Sequence, residues 1–394
     1  MSRLEELIQQ HCPNGVEYKK LGEITTILRG KRLTKSQLSD DKPYAVYHGG
    51  LDPLGYYESA NRSANTTMII NVGASAGTVG YSKEDFWSSD GCFCIDHSPS
   101  FDDRYIYYVL QTQEQQLKSK VRVAGIPTLD RPVVEDLKIP VPPLPVQEEI
   151  VRILDNFAEL QAELQAELQK RLQQYNYYRD KLLSFSDLNG GGYAVSVEWK
   201  KLGDIATLIR GGNFQKKDFT DSGVPCIHYG QIYTHFGIHT TSTLKYISPD
   251  VASKSKIAKT NDIVMAITSE NVEDVGKCVA WMGDDDIAVS GHTAIIQHKQ
   301  NAKYLSYYFH SSHFFTQKKR LAHGTKVIEI SPKDLANVVI PIPPLAEQQR
   351  IVDILDRFDK LTTDITAGLP AEIEARRKQY EYYRDQLLTF KQKA

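Results

Sequence analysis

Ile139-Pro140-Val141-Pro142-Pro143-Leu144 is written a second time as Ile340-Pro341-Ile342-Pro343-Pro344-Leu345, and this pair decides the fold. A proline run cannot form helix interior, because it lacks N–H donors and clashes with the preceding turn, so each copy is a stiff lead-in to the segment after it. That segment is duplicated as well: Tyr177-Tyr178-Arg179-Asp180-Lys181-Leu182-Leu183-Ser184-Phe185 returns as Tyr382-Tyr383-Arg384-Asp385-Gln386-Leu387-Leu388-Thr389-Phe390. Upstream, Lys19-Lys20-Leu21-Gly22-Glu23-Ile24 is matched by Lys200-Lys201-Leu202-Gly203-Asp204-Ile205, with Arg29-Gly30 and Arg210-Gly211 at the same distance beyond. A period this long means two copies of a domain plus a helix, not a solenoid. The repeated parts do one job twice; the diverged parts do two jobs.

Between the repeated strings lie long apolar stripes. From Gln147 to Phe185, Ile150, Ile153, Leu154, Phe157, Leu160, Leu164, Leu168, Leu172, Tyr175, Tyr178 and Leu182 recur at spacings of three and four, the pattern of one buried helix edge. Part of the stripe comes from Ala-Glu-Leu-Gln, written three times from Ala158; successive fours straighten a supercoil locally. The second copy carries Ile351, Ile354, Leu355, Phe358, Leu361 and Ile365, meets a stop at Gly368-Leu369-Pro370, and resumes as helix from Ala371 to Thr389. About 39 helical residues at ~1.5 Å each reach roughly 58 Å, enough to hold two globular domains apart. Each stripe needs a partner, and the other copy supplies one. An antiparallel pair on a pseudo-two-fold axis is the expectation; a parallel pair is the alternative.

The segments before each helix mix short β-rich runs, such as Thr67–Ile70, Asp262–Ile267 and Ala294–Ile296, with helical patches at Arg104–Gln116 and Ala302–Leu321. The fold class is therefore α+β. The expected divisions are an N-terminal segment 1–18, a first domain 19–143, a first helical region 144–186, a glycine-rich linker 187–199 around Asn189-Gly190-Gly191-Gly192, a second domain 200–344 and a second helical region 345–394.

Composition narrows the class. With 41% hydrophobic and 24% charged residues the chain reads as an ordinary globular protein of 394 residues. No run approaches the roughly 20 apolar residues of a membrane span, and Met1–Gln10 resembles no signal or transit peptide, so a cytoplasmic protein is expected. Five scattered cysteines argue against a disulfide framework or a zinc site. Residues 200–344 hold 17 Lys and Arg against 13 Asp and Glu, a slight basic bias that implies placed contacts to any nucleic acid instead of bulk attraction.

Catalytic patterns are missing. Gly73–Gly80 is glycine-rich without the Gly-Lys-Ser/Thr ending of a phosphate loop, no dinucleotide or adenosylmethionine fingerprint follows a strand, and no nucleophile stands beside an evident base. The histidines lack metal-ligand spacing, and Asp284-Asp285-Asp286 reads as a solvated turn. The chain is expected to bind, not to catalyse, and to hold no cofactor or metal of its own. Better placed are two basic, polar stretches after the opening strands, with Arg29, Lys31, Arg32 and Lys35 in one and Arg210, Asn213, Lys216 and Lys217 in the other. Side chains of these types reach both phosphates and base edges, though a charged surface loop is the competing reading. His48 and His228 with Gln231 stand in corresponding places; Ser269, Asn271, Lys318, Lys319, Arg320 and Lys326 add polar and basic groups to the second segment. Together they favour two nucleic-acid-reading surfaces.

On these motifs the chain resembles the specificity subunit of type I restriction-modification enzymes. The Ile-Pro-x-Pro-Pro-Leu lead-ins, the helix starts Ile150-Val151-Arg152-Ile153-Leu154-Asp155 and Arg350-Ile351-Val352-Asp353-Ile354-Leu355-Asp356, and both Tyr-Tyr-Arg-Asp endings resemble that family's spacer regions. The resemblance covers essentially the whole chain. It implies two target recognition domains, each reading one part of a split double-stranded DNA target, separated by two long antiparallel coiled-coil helical regions. It also implies two docked modification subunits that carry adenosylmethionine and methylate adenine, ATP-driven motor-nuclease subunits that join them, and a part in phage defence. Arg152, Tyr177, Tyr178, Arg179, Arg350, Tyr382, Tyr383 and Arg384, in the helical regions, are the residues expected to dock the modification subunits. Two other classes compete: a helical scaffold that binds only proteins, which leaves the basic loops idle, and a self-sufficient methyltransferase or nuclease, which lacks motifs.

Overall fold

The computed structural model describes residues 2–97, 100–185, 196–363 and 367–393; the expected joint at 189–192 lies outside them. The chain forms two compact units, Met1–Gln165 with Glu372–Ala394, and Ala166–Ala371. Each unit takes one mixed domain, the start of the helix that follows it, and the end of the helix that belongs to the other half.

In the first unit the opening helix Arg3–His11 is held by a reciprocal cap: Glu5 N donates to the Ser2 hydroxyl and Ser2 N donates to the Glu5 carboxylate. An antiparallel sheet follows in the order Thr25–Arg29, Cys92–His97, Thr66–Ile70, Val79–Ser82. The helix Asp103–Thr112 packs on it through Tyr105, Ile106, Val109 and Leu110. A smaller sheet sets Tyr44–Tyr47 between Tyr56–Tyr57 and Trp87–Ser88, the last pair parallel. The expected helix Arg104–Gln116 is in fact two, Asp103–Thr112 and Glu114–Ser119.

The second unit repeats this plan with additions. Its main sheet runs Ala206–Arg210, Thr293–His298, Ile263–Ala266, Cys278–Trp281, His239–Thr240, and its second sheet again has a parallel pair, Val224–Ile227 with Ile287–Val289. The anticipated helix 302–321 divides at Ser311, whose side chain caps the second piece, Ser312–Leu321, by accepting from Phe314 N.

Domain and helix are joined the same way in both units. Tyr105 Oη donates to Pro140 O at 3.2 Å, and Tyr304 Oη to Pro341 O at 2.7 Å, each within the proline-rich lead-in. Gln147 and Gln348, both fully buried, bridge from Pro142 O and Pro343 O to the amides of Asp102 and Asn301, the residues that cap the domain helices. Asp155 takes Arg104 Nε at 3.0 Å and the Tyr108 hydroxyl; Asp356 takes Lys303 Nζ at 2.7 Å and the Tyr307 hydroxyl at 2.7 Å. The duplicated motifs therefore encode a joint, in which paired polar groups replace water around the first turns of the helix.

The first helical region is one unbroken helix, Leu144–Ser184, of 41 residues. Its Leu160, Leu164, Leu168 and Leu172 are half-buried while Glu159 and Glu163 face water, as one buried edge requires. The second region is broken, as its Gly-Leu-Pro implied, into Leu345–Thr363 and Leu369–Leu387. Within the first unit, Val146 and Ile150 at the start of the long helix share a core with Leu387 and Leu388 at the end of the other. Within the second, Leu183 shares one with Ile351, Val352 and Leu355. A helix start lies beside a helix end in each unit, which is antiparallel pairing.

Candidate nucleic-acid interface

The two sequence-predicted basic loops are held by one and the same chain of backbone contacts. Arg29, at the end of its strand, donates from Nε to Asp90 O at 3.2 Å; Arg210 donates to Gly291 O at 3.3 Å. The next carbonyl, of Gly91 or His292, accepts from Asn71 N at 3.1 Å or Ile267 N at 3.0 Å. The carbonyls of Asn71 and Ile267 accept in turn from Leu129 N at 2.9 Å and Ile330 N at 3.0 Å. Gly30 and Gly211 sit against the Ser89 and Ser290 carbonyls, so closely that no Cβ fits, which explains the paired Arg-Gly. Each unit thus has a rigid backbone platform whose loops carry different side chains.

In the first unit Lys31, Arg32 and Lys35 are exposed, and the backbone at Lys31 is fixed: Trp87 Nε1 donates to Lys31 O at 2.7 Å, and Lys31 N donates to Ser88 O at 2.9 Å. Arg62, which sequence reasoning missed, ties the end of this strand down by donating to Arg29 O at 3.1 Å. His48 lies 3.3 Å from Asp90, beside the same platform. Exposed cationic ends on a held backbone suit contact to phosphates and base edges, since little main-chain order is lost on binding.

In the second unit Arg210, Asn213, Lys216 and Lys217 are exposed. Arg210 also pairs with Glu329 at 3.2 Å, and Glu329 belongs to a strand that pairs with Thr268 and Ser269. His292, exposed, approaches Thr268 Oγ1 at 3.0 Å and stands edge-on to Tyr229 at 5.0 Å between ring centroids. The platform therefore gathers Arg210, Ser269, Tyr229 and His292. Tyr229 lies in the candidate stretch from His228 to Gln231, whereas His292 had no pattern to reveal it. Gln231 is half-buried, accepting from His228 N at 2.8 Å, and Asn271 closes a local turn with Asp274. Lys319, Arg320 and Lys326 are exposed.

Four expected contact residues are placed elsewhere. Lys318 is only 4% exposed; its ammonium donates to Glu273 O at 2.9 Å and Val275 O at 2.6 Å, and burial lowers its pKa to about 8. His228 is buried, its Nδ1 accepting from Gly230 N at 3.1 Å, and burial, with the Lys216 charge, lowers its pKa to about 4. It is a neutral structural histidine. Arg179 and Arg384 are folded back over the rings of Tyr175 and Tyr380 and pair with Asp180 and Asp385, so their guanidinium groups are largely covered. By contrast Tyr177 and Tyr382 are each 61% exposed. Arg152 and Arg350 each pair with a glutamate three residues earlier, Glu149 and Glu347. Counted from the Ile150 and Ile351 that open the shared stripe, these two arginines occupy unlike positions.

Among the described residues no group of His, Cys, Asp and Glu is placed to hold a metal ion, and no helix is long and apolar enough to cross a membrane. What the fold defines is an α+β domain-and-helix unit built twice. Residues 13–174 and 195–375 match the model of the type I restriction modification DNA specificity domain, and the chain belongs to that family, whose members supply specificity, not catalysis. It is 31% identical over 409 aligned positions to a type I restriction enzyme specificity subunit of Haemophilus influenzae, covering 98% of both chains. It is 39% identical over 270 residues to the EcoR124I/EcoR124II specificity subunit of Escherichia coli, a match spanning 64% of this chain and 63% of that relative. Among solved structures, the S subunit of a type I system from M. genitalium aligns over 95% of this chain and 96% of its own with a TM-score of 0.58 at 14% identity. A chain from a study of complex assembly and conformational transition in a type I system aligns over 95% and 98%, with a TM-score of 0.59 at 18% identity. Both share the fold.

Proposed function

We propose that this chain reads a bipartite double-stranded DNA target, one part through residues 19–143 and the other through 200–344. It directs adenine methylation by two modification subunits docked on the helical regions 144–186 and 345–394. The observation that carries this reading is the repeated platform. Arg29 and Arg210 make the same contact in both units, while the surrounding side chains differ, as two readers of unlike half-sites require. Arg29, Lys31, Arg32, Lys35, Arg210, Lys216, Lys217, Lys319, Arg320 and Lys326 hold phosphates; His48, Asn213, Gln231, Ser269 and Asn271 stand where base edges pass. The duplicated, exposed Tyr177 and Tyr382, together with Tyr178, Tyr383, Arg152 and Arg350, offer docking faces to two copies of one partner. Adenosylmethionine and ATP belong to the modification and motor-nuclease subunits, which methylate, translocate and cut.

The test is methylation-sensitive sequencing of cells that express the chain with its modification subunits. A split methylated motif is expected, and replacing residues 20–143 by the corresponding segment of another family member should change one half of it. A change in both halves, or no motif at all, would refute the division of labour. Complexes that form normally but leave no footprint on DNA would point instead to a scaffold.

A further inference from the structure

At the end of each platform chain stands a hairpin. Arg122 and Thr128 bridge in the first unit, each N–H donating to the other's carbonyl at 2.9 and 3.0 Å, and His323 and Glu329 do the same in the second at 3.0 and 2.8 Å. Both hairpins have a glycine in the left-handed region, Gly125 with φ +84° and Gly324 with φ +115°. A Cβ built on Gly125 would meet nothing within 4 Å, so the first tip stands in open space. Yet the first tip is apolar, with Val123 79% exposed and Ile126 71%, and the second carries Val327, 58% exposed, beside Lys326. These include the most exposed large aliphatic side chains among the described residues.

An unburied aliphatic pair on an exposed turn is unfavourable in water and calls for an occupant. Three observations identify it. The hairpins are continuous with the DNA-facing platforms: Gly73 N donates to Pro127 O in the first unit, and Glu329 in the second pairs with Arg210. Basic side chains flank both, Lys120 and Arg122 before the first tip, Lys319, Arg320 and Lys326 around the second, which favours a polyanion over an apolar protein groove. And a hairpin closed by a single bridged pair is no wider than the two-stranded ribbon that the major groove of B-DNA admits, where the thymine 5-methyl is the apolar feature a Val or Ile recognises.

We infer that the hairpins 122–128 and 323–329 enter the major groove and that Val123, Ile126 and Val327 determine sequence by packing on thymine methyl groups. This rests on the DNA-reading function proposed above. Each half-site therefore contains an A·T pair under its hairpin. The replacement that tests this is deoxyuridine for thymine, which removes the methyl and nothing else.

The experiment measures binding of the full chain, assembled with its modification subunits, to duplexes carrying its methylated motif. Deoxyuridine in either half-site should weaken the wild-type complex about fourfold, the factor that one buried methyl is worth. The variant Val123→Ser/Ile126→Ser should bind thymine DNA about as weakly as the wild type binds deoxyuridine DNA, with no further loss on replacement in one half-site only. Val327→Ser should do the same for the other half-site. Equal wild-type affinity for thymine and deoxyuridine, or a half-site without any A·T pair, overturns the inference. So does a folded Val123→Ser/Ile126→Ser chain that no longer assembles with the modification subunits, since the tip then docks protein. A wild-type complex that prefers no sequence overturns the underlying function instead.

Discussion

Phe157 stacks on Tyr383 with ring centroids 5.6 Å apart and planes 21° from parallel. The pair has a counterpart in the other unit, where Phe358 and Tyr178 stack at 5.7 Å and 24°. In each case the phenylalanine comes from the start of one half's helix and the tyrosine from the Tyr-Tyr-Arg-Asp ending of the other half. The duplicated motifs thus work as an exchange, each half closing a core begun by the other. The consequence reaches the docking proposal, because Tyr178 and Tyr383 turn one face to the stack while Tyr177 and Tyr382 project.

A double-mutant cycle on Phe157→Leu and Tyr383→Leu should give a coupling of about 0.5–1.5 kcal/mol, the usual worth of an aromatic pair beyond its area. The unrelated combination Phe157→Leu with Tyr178→Leu should be additive, since those rings are not partnered. Chemical denaturation monitored by circular dichroism checks both.

Lys318, Lys319 and Arg320 are adjacent in sequence and should separate cleanly in function. Lys318→Ala leaves the Glu273 and Val275 carbonyls without their donor, and should lower stability by about 1–3 kcal/mol while leaving DNA affinity of the folded complex unchanged. Lys319→Ala and Arg320→Ala should leave stability within about 0.5 kcal/mol. Each should weaken DNA binding evenly across sequences and lower the slope of log affinity against log salt by about 1. Thermal unfolding and a salt titration of binding separate the two outcomes.

Acid should destabilise the second unit through three histidines. Burial lowers the pKa of His228, His298 and His310 to about 4, against an ordinary value of 6.5. The unfolded chain therefore binds protons that the folded chain refuses. Stability is complete above pH 6.5 and falls as the pH drops from there toward 4. His310→Asn, which keeps a donor near Ser306 O, should flatten part of this loss between pH 7 and pH 5. An unchanged slope of melting temperature against pH in that variant would count against a buried neutral His310.

The duplicated strings announced the helices because proline, glycine and a three-four apolar stripe act locally, and Leu144–Ser184 begins and ends within a few residues of the expected Gln147–Phe185. The platforms were not legible for the opposite reason. Asn71, Gly91 and Leu129 are joined through main-chain atoms, and a carbonyl leaves no mark on residue identity. Their side chains are free to diverge, which is what the two proposed readers need. Lys318 shows a missed signal: it follows Phe314 by four and precedes Leu321 by three, on a face whose Phe314 is fully buried, so helical spacing already distinguished it from Lys319 and Arg320. Arg179 and Arg384 hid in the same way, four residues after Tyr175 and Tyr380.

The tetrapeptide repeat invites the sharpest test of the helical region. From Pro140 to Tyr177 is 37 residues and from Pro341 to Tyr382 is 41, a difference of four residues, the length of one Ala-Glu-Leu-Gln unit. Removing residues 162–165 shortens the long helix by about 6 Å and turns the remainder of the helix by only about 40°, because four residues slightly exceed one turn of ~3.6. Leu160 is then followed by the present Leu168 and Leu172 on nearly the same face, so the buried edge survives. At about 3.4 Å per base pair, the unread gap between the half-sites should shorten by one to two base pairs while both half-sites stay as they were. The methylated motif of cells carrying the deletion measures the gap directly. An unchanged gap would mean that the helix length does not set the spacing, and altered half-sites would mean that the deletion disturbs the readers themselves.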